Sequence, residues 1–200
     1  FLSSWGEEFA AGAHGFFIAD EGGTEYLYIT DIARHSVYKT TLDGKVVLEL
    51  DPPQLSHVYE NPEDYTPTDV CVAPNGDIYV GDGYGMSWVH RYAADGSRIQ
   101  SWGGVGSEPG LMKCPHGVWI DQRGTEPQLV VADRGNNRLQ TFTLDGQHIG
   151  FVTYDLRQPC TVRGFGSELF IPDLQSRITI LDENNDLITH LGDRPGFWRT

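Results

Sequence analysis

Four polar side chains interrupt an otherwise repetitive sequence: His14, Tyr84, His116 and Arg134. Each histidine precedes a glycine, in Ala13-His14-Gly15 and Pro115-His116-Gly117, while Tyr84 and Arg134 follow aspartates in Asp82-Gly83-Tyr84 and Asp133-Arg134. Three imidazoles with one open position are a common catalytic zinc arrangement. A tyrosine near such a cation can act as general base, because the field of the metal lowers its pKa. The planar fork of an arginine clamps a carboxylate or polarises a carbonyl. A plainer reading has His14 and His116 as repeat residues bonded to neighbouring backbone. Tyr84 is then a packing aromatic and Arg134 the partner of an acidic side chain. From the residues alone both readings stay open.

The elements that would position these groups come from an internal repeat. Four apolar runs end in aspartate: Leu27 to Asp31, Ile78 to Asp82, Leu129 to Asp133 and Leu169 to Asp173. Five to seven residues after each, a second alternating segment begins, at Val37, Val89, Leu139 and Ile178. A tight turn follows, Asp43-Gly44, Asp95-Gly96, Asp145-Gly146 or Asn184-Asn185, and these dipeptides favour the positive φ of hairpin turns. A closing strand completes each unit, as in Lys45 to Leu50 and Arg98 to Trp102. The aspartates lie 51, 51 and 40 residues apart, a period that suits four-stranded propeller blades. The fold class read from this pattern is all-β: one propeller domain over 1–200, with blades at about 10–50, 63–103, 112–152 and 157–192.

Matching positions of successive blades share one end of the central channel. The position that opens each blade reads His14, Thr68, His116 and Cys160, so histidine stands on alternate blades only. Alternate blades of a six-bladed ring are a third of a turn apart, which would let three such histidines converge on the axis. Two are present, and the third is expected in a fifth blade. The opening run Phe1-Leu2-Ser3-Ser4-Trp5-Gly6 reads like Arg98 to Gly103, the closing strand of the second unit. The chain is therefore expected to begin inside a preceding blade and, at Pro195 to Thr200, to stop where another opens. Open sheet edges of this kind invite pairing with a second copy.

Composition narrows the partners. Twenty-four glycines with no heptad pattern suit a turn-rich β protein. A formal charge of −14 argues against nucleic acid and anionic membrane, which are bound through clustered Lys and Arg. No apolar run is long enough to span a bilayer. The first residue is Phe1 rather than Met, so an upstream segment is expected and export stays open. Cys71, Cys114 and Cys160 form no metal or disulfide spacing, and Cys71, in Val70-Cys71-Val72, is expected to be a buried thiol. His35, His57, His90, His148 and His190 are expected at the surface.

The ordered set Pro67-Thr68-Asp69-Val70, Gly81-Asp82-Gly83-Tyr84-Gly85, Pro115-His116-Gly117-Val118 and Val131 to Phe142 resembles peptidyl-α-hydroxyglycine α-amidating lyase, an NHL-type propeller enzyme. The resemblance covers about residues 12 to 150. It implies a six-bladed ring, zinc held by three histidines and a structural calcium. It matches His14 and His116 to zinc ligands, Tyr84 to the base, Arg134 to an active-site arginine, and Phe16 to a backbone carbonyl on calcium. The implied reaction is cleavage of a carbinolamide C–N bond to an amide and glyoxylate, on a peptide or small-molecule substrate, in a secreted or periplasmic setting. The third histidine and a second arginine would lie outside residues 1 to 200. Two family disulfides are missing, their positions holding Tyr65 with Gly85 and Val130 with Thr141. The alternative is a non-catalytic NHL scaffold that binds a protein or small ligand on one face.

Overall fold

The computed structural model describes residues 4–50, 52–53 and 57–192. The run Phe1 to Ser3, the run Pro195 to Thr200 and the strand expectations placed on them lie outside the described residues. The described residues form four four-stranded antiparallel sheets, each a simple meander. The first holds β1 (Ala13–Asp20), β2 (Glu25–Asp31), β3 (Ser36–Thr41) and β4 (Val46–Leu50). The second holds β5 (Asp69–Val72), β6 (Ile78–Asp82), β7 (Trp88–Tyr92) and β8 (Arg98–Gly103). The third holds β9 (Pro115–Asp121), β10 (Gln128–Asp133), β11 (Arg138–Thr143) and β12 (His148–Val152). The fourth holds β13 (Arg163–Phe165), β14 (Glu168–Asp173), β15 (Arg177–Leu181) and β16 (Leu187–Leu191).

The turn chemistry repeats from sheet to sheet. Gly44, Gly96, Gly146 and Asn185 all take positive φ, and each third strand slips register just beside its turn. Glycine or asparagine in the left-handed region is what such a bulged hairpin requires. Neighbouring sheets then stack face to face like propeller blades. Tyr28, Val37 and Leu50 of the first pack on Val70, Ile78, Val80 and Tyr92 of the second. Cys71, Tyr79 and Val89 of the second meet Val118, Val131 and Phe142 of the third. Val130, Ala132 and Leu139 of the third meet Leu169, Ile171 and Leu181 of the fourth. Each contact buries apolar side chains from both partners, the main driving force for stacking. Cys71 is buried as expected.

A tryptophan seals the outer edge between blades. The ring of Trp102 lies against Gly146, where a Cβ would stand 2.9 Å from it. Trp5 lies against Gly44 in the same way and donates from Nε1 to the Leu42 carbonyl. The likeness of the opening residues to Arg98–Gly103 thus extends to the contact that Trp5 makes.

His90 departs from the surface expectation. It is fully buried, with Nε2 on the Tyr59 hydroxyl at 2.8 Å and Nδ1 on Ser101 Oγ at 2.8 Å. Position 90 matches Gln140 and Thr179 of later blades, which bond their aspartates directly, whereas His90 is joined to Asp82 through the Tyr59 hydroxyl.

Candidate functional site

In three of the four sheets the aspartate that ends the second strand fixes the loop before that sheet's first strand. Asp82 accepts from the Thr66 N–H, Asp133 from Lys113 N–H and Asp173 from Arg157 N–H. Each amide lies two or three residues before the blade's channel residue, Thr68, His116 or Cys160. The buried carboxylates are satisfied from several sides, as buried charge must be. Asp133 also receives Arg138 Nε at 2.7 Å and Gln140 Nε2 at 3.0 Å. Asp82 has a tryptophan, Trp88, where Asp133 has Arg138, and is bonded instead by the Tyr59 hydroxyl. Burial therefore raises the Asp82 carboxyl above its ordinary range.

The glycine after each histidine brings the next blade close. A Cβ at Gly15 would stand 2.4 Å from the Thr68 carbonyl, and one at Gly117 2.6 Å from the Cys160 carbonyl. Those same carbonyls accept from the imidazoles, His14 Nδ1 to Thr68 O at 2.7 Å and His116 Nδ1 to Cys160 O at 2.8 Å. A backbone carbonyl can only accept, so Nδ1 carries a proton and, in the neutral ring, Nε2 holds the lone pair.

Both lone pairs turn toward one hydroxyl. Tyr84 Oη lies 3.0 Å from His116 Nε2 and 3.3 Å from His14 Nε2, and Arg134 Nη1 donates to it at 3.4 Å. The two imidazole centroids are 5.0 Å apart. Burial lowers the His116 pKa to about 4, with Arg134 and His14 adding to the shift against the pull of the Cys160 carbonyl. His116 is therefore neutral at physiological pH. The Arg134 guanidinium stacks over the Tyr84 ring, 5.2 Å from its centroid. Burial raises the thiols of Cys114 and Cys160, with Arg134 opposing the shift.

The four residues singled out in the sequence therefore meet at one point. Tyr84 is half-exposed with its hydroxyl at the centre of the cluster, and Arg134 bonds that hydroxyl; among the described residues Arg134 has no carboxylate partner. Beneath the imidazoles lies an open cleft of about 230 Å3, lined by His14, Phe16, Asp69, His116, Thr161 and Arg163. Asp69 and Arg163 were missed in the sequence. Each stands alone in its repeat position, which was the available signal.

As zinc donors the two imidazoles fit: the tautomer is correct, and a carbonyl on the far nitrogen is the usual supporting contact. Among the described residues no group of three His, Cys, Asp or Glu side chains could hold a metal. Calcium fits less well. Phe16 offers one neutral carbonyl, and the cleft's carboxylate, Asp69, already accepts from Val70 N–H, Val118 N–H and Thr161 Oγ1. Of the two missing disulfides, one pair of positions stands directly opposite, Val130 across from Thr141 on β10 and β11.

Comparison with known proteins bears on family and fold. An NHL repeat is matched at residues 65–92. The chain is 32% identical over 151 residues to peptidyl-glycine alpha-amidating monooxygenase B of Xenopus laevis, covering 70% of this chain and 16% of that protein. It is 31% identical over 150 residues to peptidyl-alpha-hydroxyglycine alpha-amidating lyase 1 of Drosophila melanogaster, covering 69% and 26%. NHL repeat-containing protein 3 of Homo sapiens is 32% identical over 145 residues, covering 68% and 41%. Among solved structures, virginiamycin B lyase of Staphylococcus aureus superposes with a TM-score of 0.68 at 17% identity, covering 94% of this chain and 57% of that one. At that identity the likeness concerns fold alone. The chain thus spans less than half of each curated relative named. It is an NHL-repeat protein of propeller-like fold. Within that class its sequence is related to the amidating lyases and the monooxygenases named with them.

Proposed function

We propose that these four blades belong to a six-bladed ring whose channel mouth is a zinc-dependent lyase site of the amidating-lyase type. The observation that carries the reading is the convergence of two imidazole lone pairs and one guanidinium on the Tyr84 hydroxyl. The substrate is a carbinolamide with a carboxylate, an α-hydroxyglycine on a peptide or smaller acyl group. Tyr84, as phenolate, takes the hydroxyl proton. The O–H electron pair becomes the carbonyl π bond, the C–N bond breaks with its pair on nitrogen, and the proton returns from Tyr84 to that nitrogen. The products are an amide and glyoxylate. Arg134, fixed over the tyrosine ring, stabilises negative charge at the reacting oxygen. Zinc held by His14, His116 and a donor beyond the described residues would supply Lewis-acid stabilisation of the same oxygen.

Elemental analysis of the full chain beside His116→Ala tests the first half of this reading. Near-equimolar zinc that disappears in the variant is expected; no zinc in either protein leaves the blades as a scaffold. Glyoxylate release from an α-hydroxyglycine tests the second half, and Tyr84→Phe is expected to slow it by about 10²- to 10⁴-fold, the usual worth of a general base. A non-catalytic NHL scaffold is the second reading. It is favoured by the equal identity to NHL repeat-containing protein 3 and by the set of only two zinc donors among the described residues.

A further inference from the structure

The cleft beneath the two imidazoles holds a cation that the proposed reaction does not use. Arg163 opens β13 opposite Phe170, three residues before Asp173. The matching positions are Phe17 opposite Tyr28, Cys71 opposite Tyr79 and Trp119 opposite Val130, each pair likewise three residues before its blade's aspartate. Three blades place an apolar or thiol side chain at this level, and the fourth places an arginine.

The guanidinium is anchored on one side. Nη1 donates to Thr161 Oγ1 at 2.7 Å and to the Val162 carbonyl at 2.8 Å, and lies 3.5 Å from Asp69 Oδ2. The Trp119 ring lies beneath it, 5.5 Å from centroid to guanidinium carbon. Asp69 is buried and saturated by Val70, Val118 and Thr161, so it ties blades two, three and four together while orienting the arginine. Gly15 and Gly117 make room beside it: a Cβ on Gly15 would meet Asp69 Oδ1 at 2.8 Å, and one on Gly117 would meet Thr161 Cα at 2.5 Å. Among the described residues, Nε and Nη2 of Arg163 make no hydrogen bond, and the side chain is 38% exposed along the cleft that His14, Phe16 and His116 also line. A guanidinium fixed at one corner with an open edge offers two parallel N–H donors, the arrangement that grips a carboxylate.

We propose that this cleft is a carboxylate subsite, with Arg163 as its cation and a small α-hydroxy or α-oxo acid as its ligand. Resting on the lyase reading, the subsite holds the carboxylate end of the substrate beneath the imidazoles, which leaves Arg134 to the reacting oxygen. Arg163 is then a specificity residue, separating α-hydroxyglycines from carbinolamides that lack an acid.

The probe is glycolate, an unreactive two-carbon α-hydroxy acid, carrying a 13C label and titrated against the full chain in EDTA by NMR line broadening. Saturable binding is expected, weakened about tenfold or more in Arg163→Gln, as loss of a charged hydrogen bond implies. Arg163→Lys should restore part of it. Absence of saturable binding overturns the proposal, as does binding that survives Arg163→Gln. If Arg163→Gln unfolds because Asp69 is stranded, the double variant Asp69→Asn with Arg163→Gln takes its place, with the same loss expected. Glycolate binding that depends on Arg163 without glyoxylate release leaves the subsite standing and sinks the lyase reading. Glyoxylate release whose KM ignores Arg163→Gln does the reverse.

Discussion

At the residue scale, the site depends on the pairing of each histidine with the glycine that follows it. The histidine supplies the lone pair, and the glycine lets the next blade's carbonyl reach Nδ1. Gly117→Ala should therefore act as a site mutation although no reacting group is changed. Its Cβ would meet backbone, Cys160 O at 2.6 Å and Thr161 Cα at 2.5 Å, which no rotamer change relieves. A loss of about 1–3 kcal/mol in urea unfolding is expected, the usual cost of overpacking. Under the proposed zinc site, metal affinity should fall about 10- to 100-fold in a chelator competition, because the supporting bond to His116 is stretched. Alanine that leaves both quantities unchanged would show that the close approach does not position the imidazole. His14, Tyr84, His116 and Arg134 were legible in sequence because each breaks a repeat. Arg163 breaks one too, but β13 is only three residues long and Cys160 and Thr161 lie outside it, which blurs the alignment of the fourth blade.

At the element scale, the strand-ending aspartates convert a sheet into a positioned loop. Asp133 joins the Lys113 amide, Asn136, Arg138 and Gln140, and it is fully buried. Asp133→Ala leaves the Arg138 charge and the Lys113 amide without their partner. Removing one member of a buried ion pair costs about 3–5 kcal/mol, and urea unfolding should show a loss of that order. The loop carrying Cys114 and His116 should loosen with it, visible as faster amide exchange at Lys113. The repeat period and the Asp-Gly turns had announced these four sheets in advance. Turn chemistry is local, since the left-handed backbone of these hairpin turns favours glycine or asparagine, as at Gly44, Gly96, Gly146 and Asn185. The use of the aspartate as a staple to the preceding loop was not legible, because its partners lie 16 to 20 residues away in sequence.

At the scale of the whole molecule, blades are held by burial between sheets and by a few polar devices at their rims. One device gives a pH signature. Burial drives the His90 pKa from its ordinary value near 6.5 down to about 3, so the folded protein resists a proton that the unfolded chain takes up. The contribution of His90 is complete above about pH 6.5 and should fall as pH drops toward 3, at up to about 1.4 kcal/mol per pH unit, beside a like contribution from His116, whose pKa burial lowers to about 4. Asp82, whose carboxyl burial holds above its ordinary range, opposes this at the acid end of the window. His90→Gln, which installs the residue found at position 140 of the third blade, should flatten the acid limb of thermal unfolding measured against pH. An unchanged limb would place the acid sensitivity elsewhere. The sequence alone was sufficient for the all-β class, the four strand-turn-strand units and the candidates that break their pattern, because periodicity and turn preference are properties of neighbouring residues. Only the tertiary structure could show that two imidazoles from alternate blades turn their lone pairs to one tyrosine, that His90 is buried, and that Asp69 and Arg163 share a cleft. Those relations join residues tens of positions apart, and stacking of the sheets decides them.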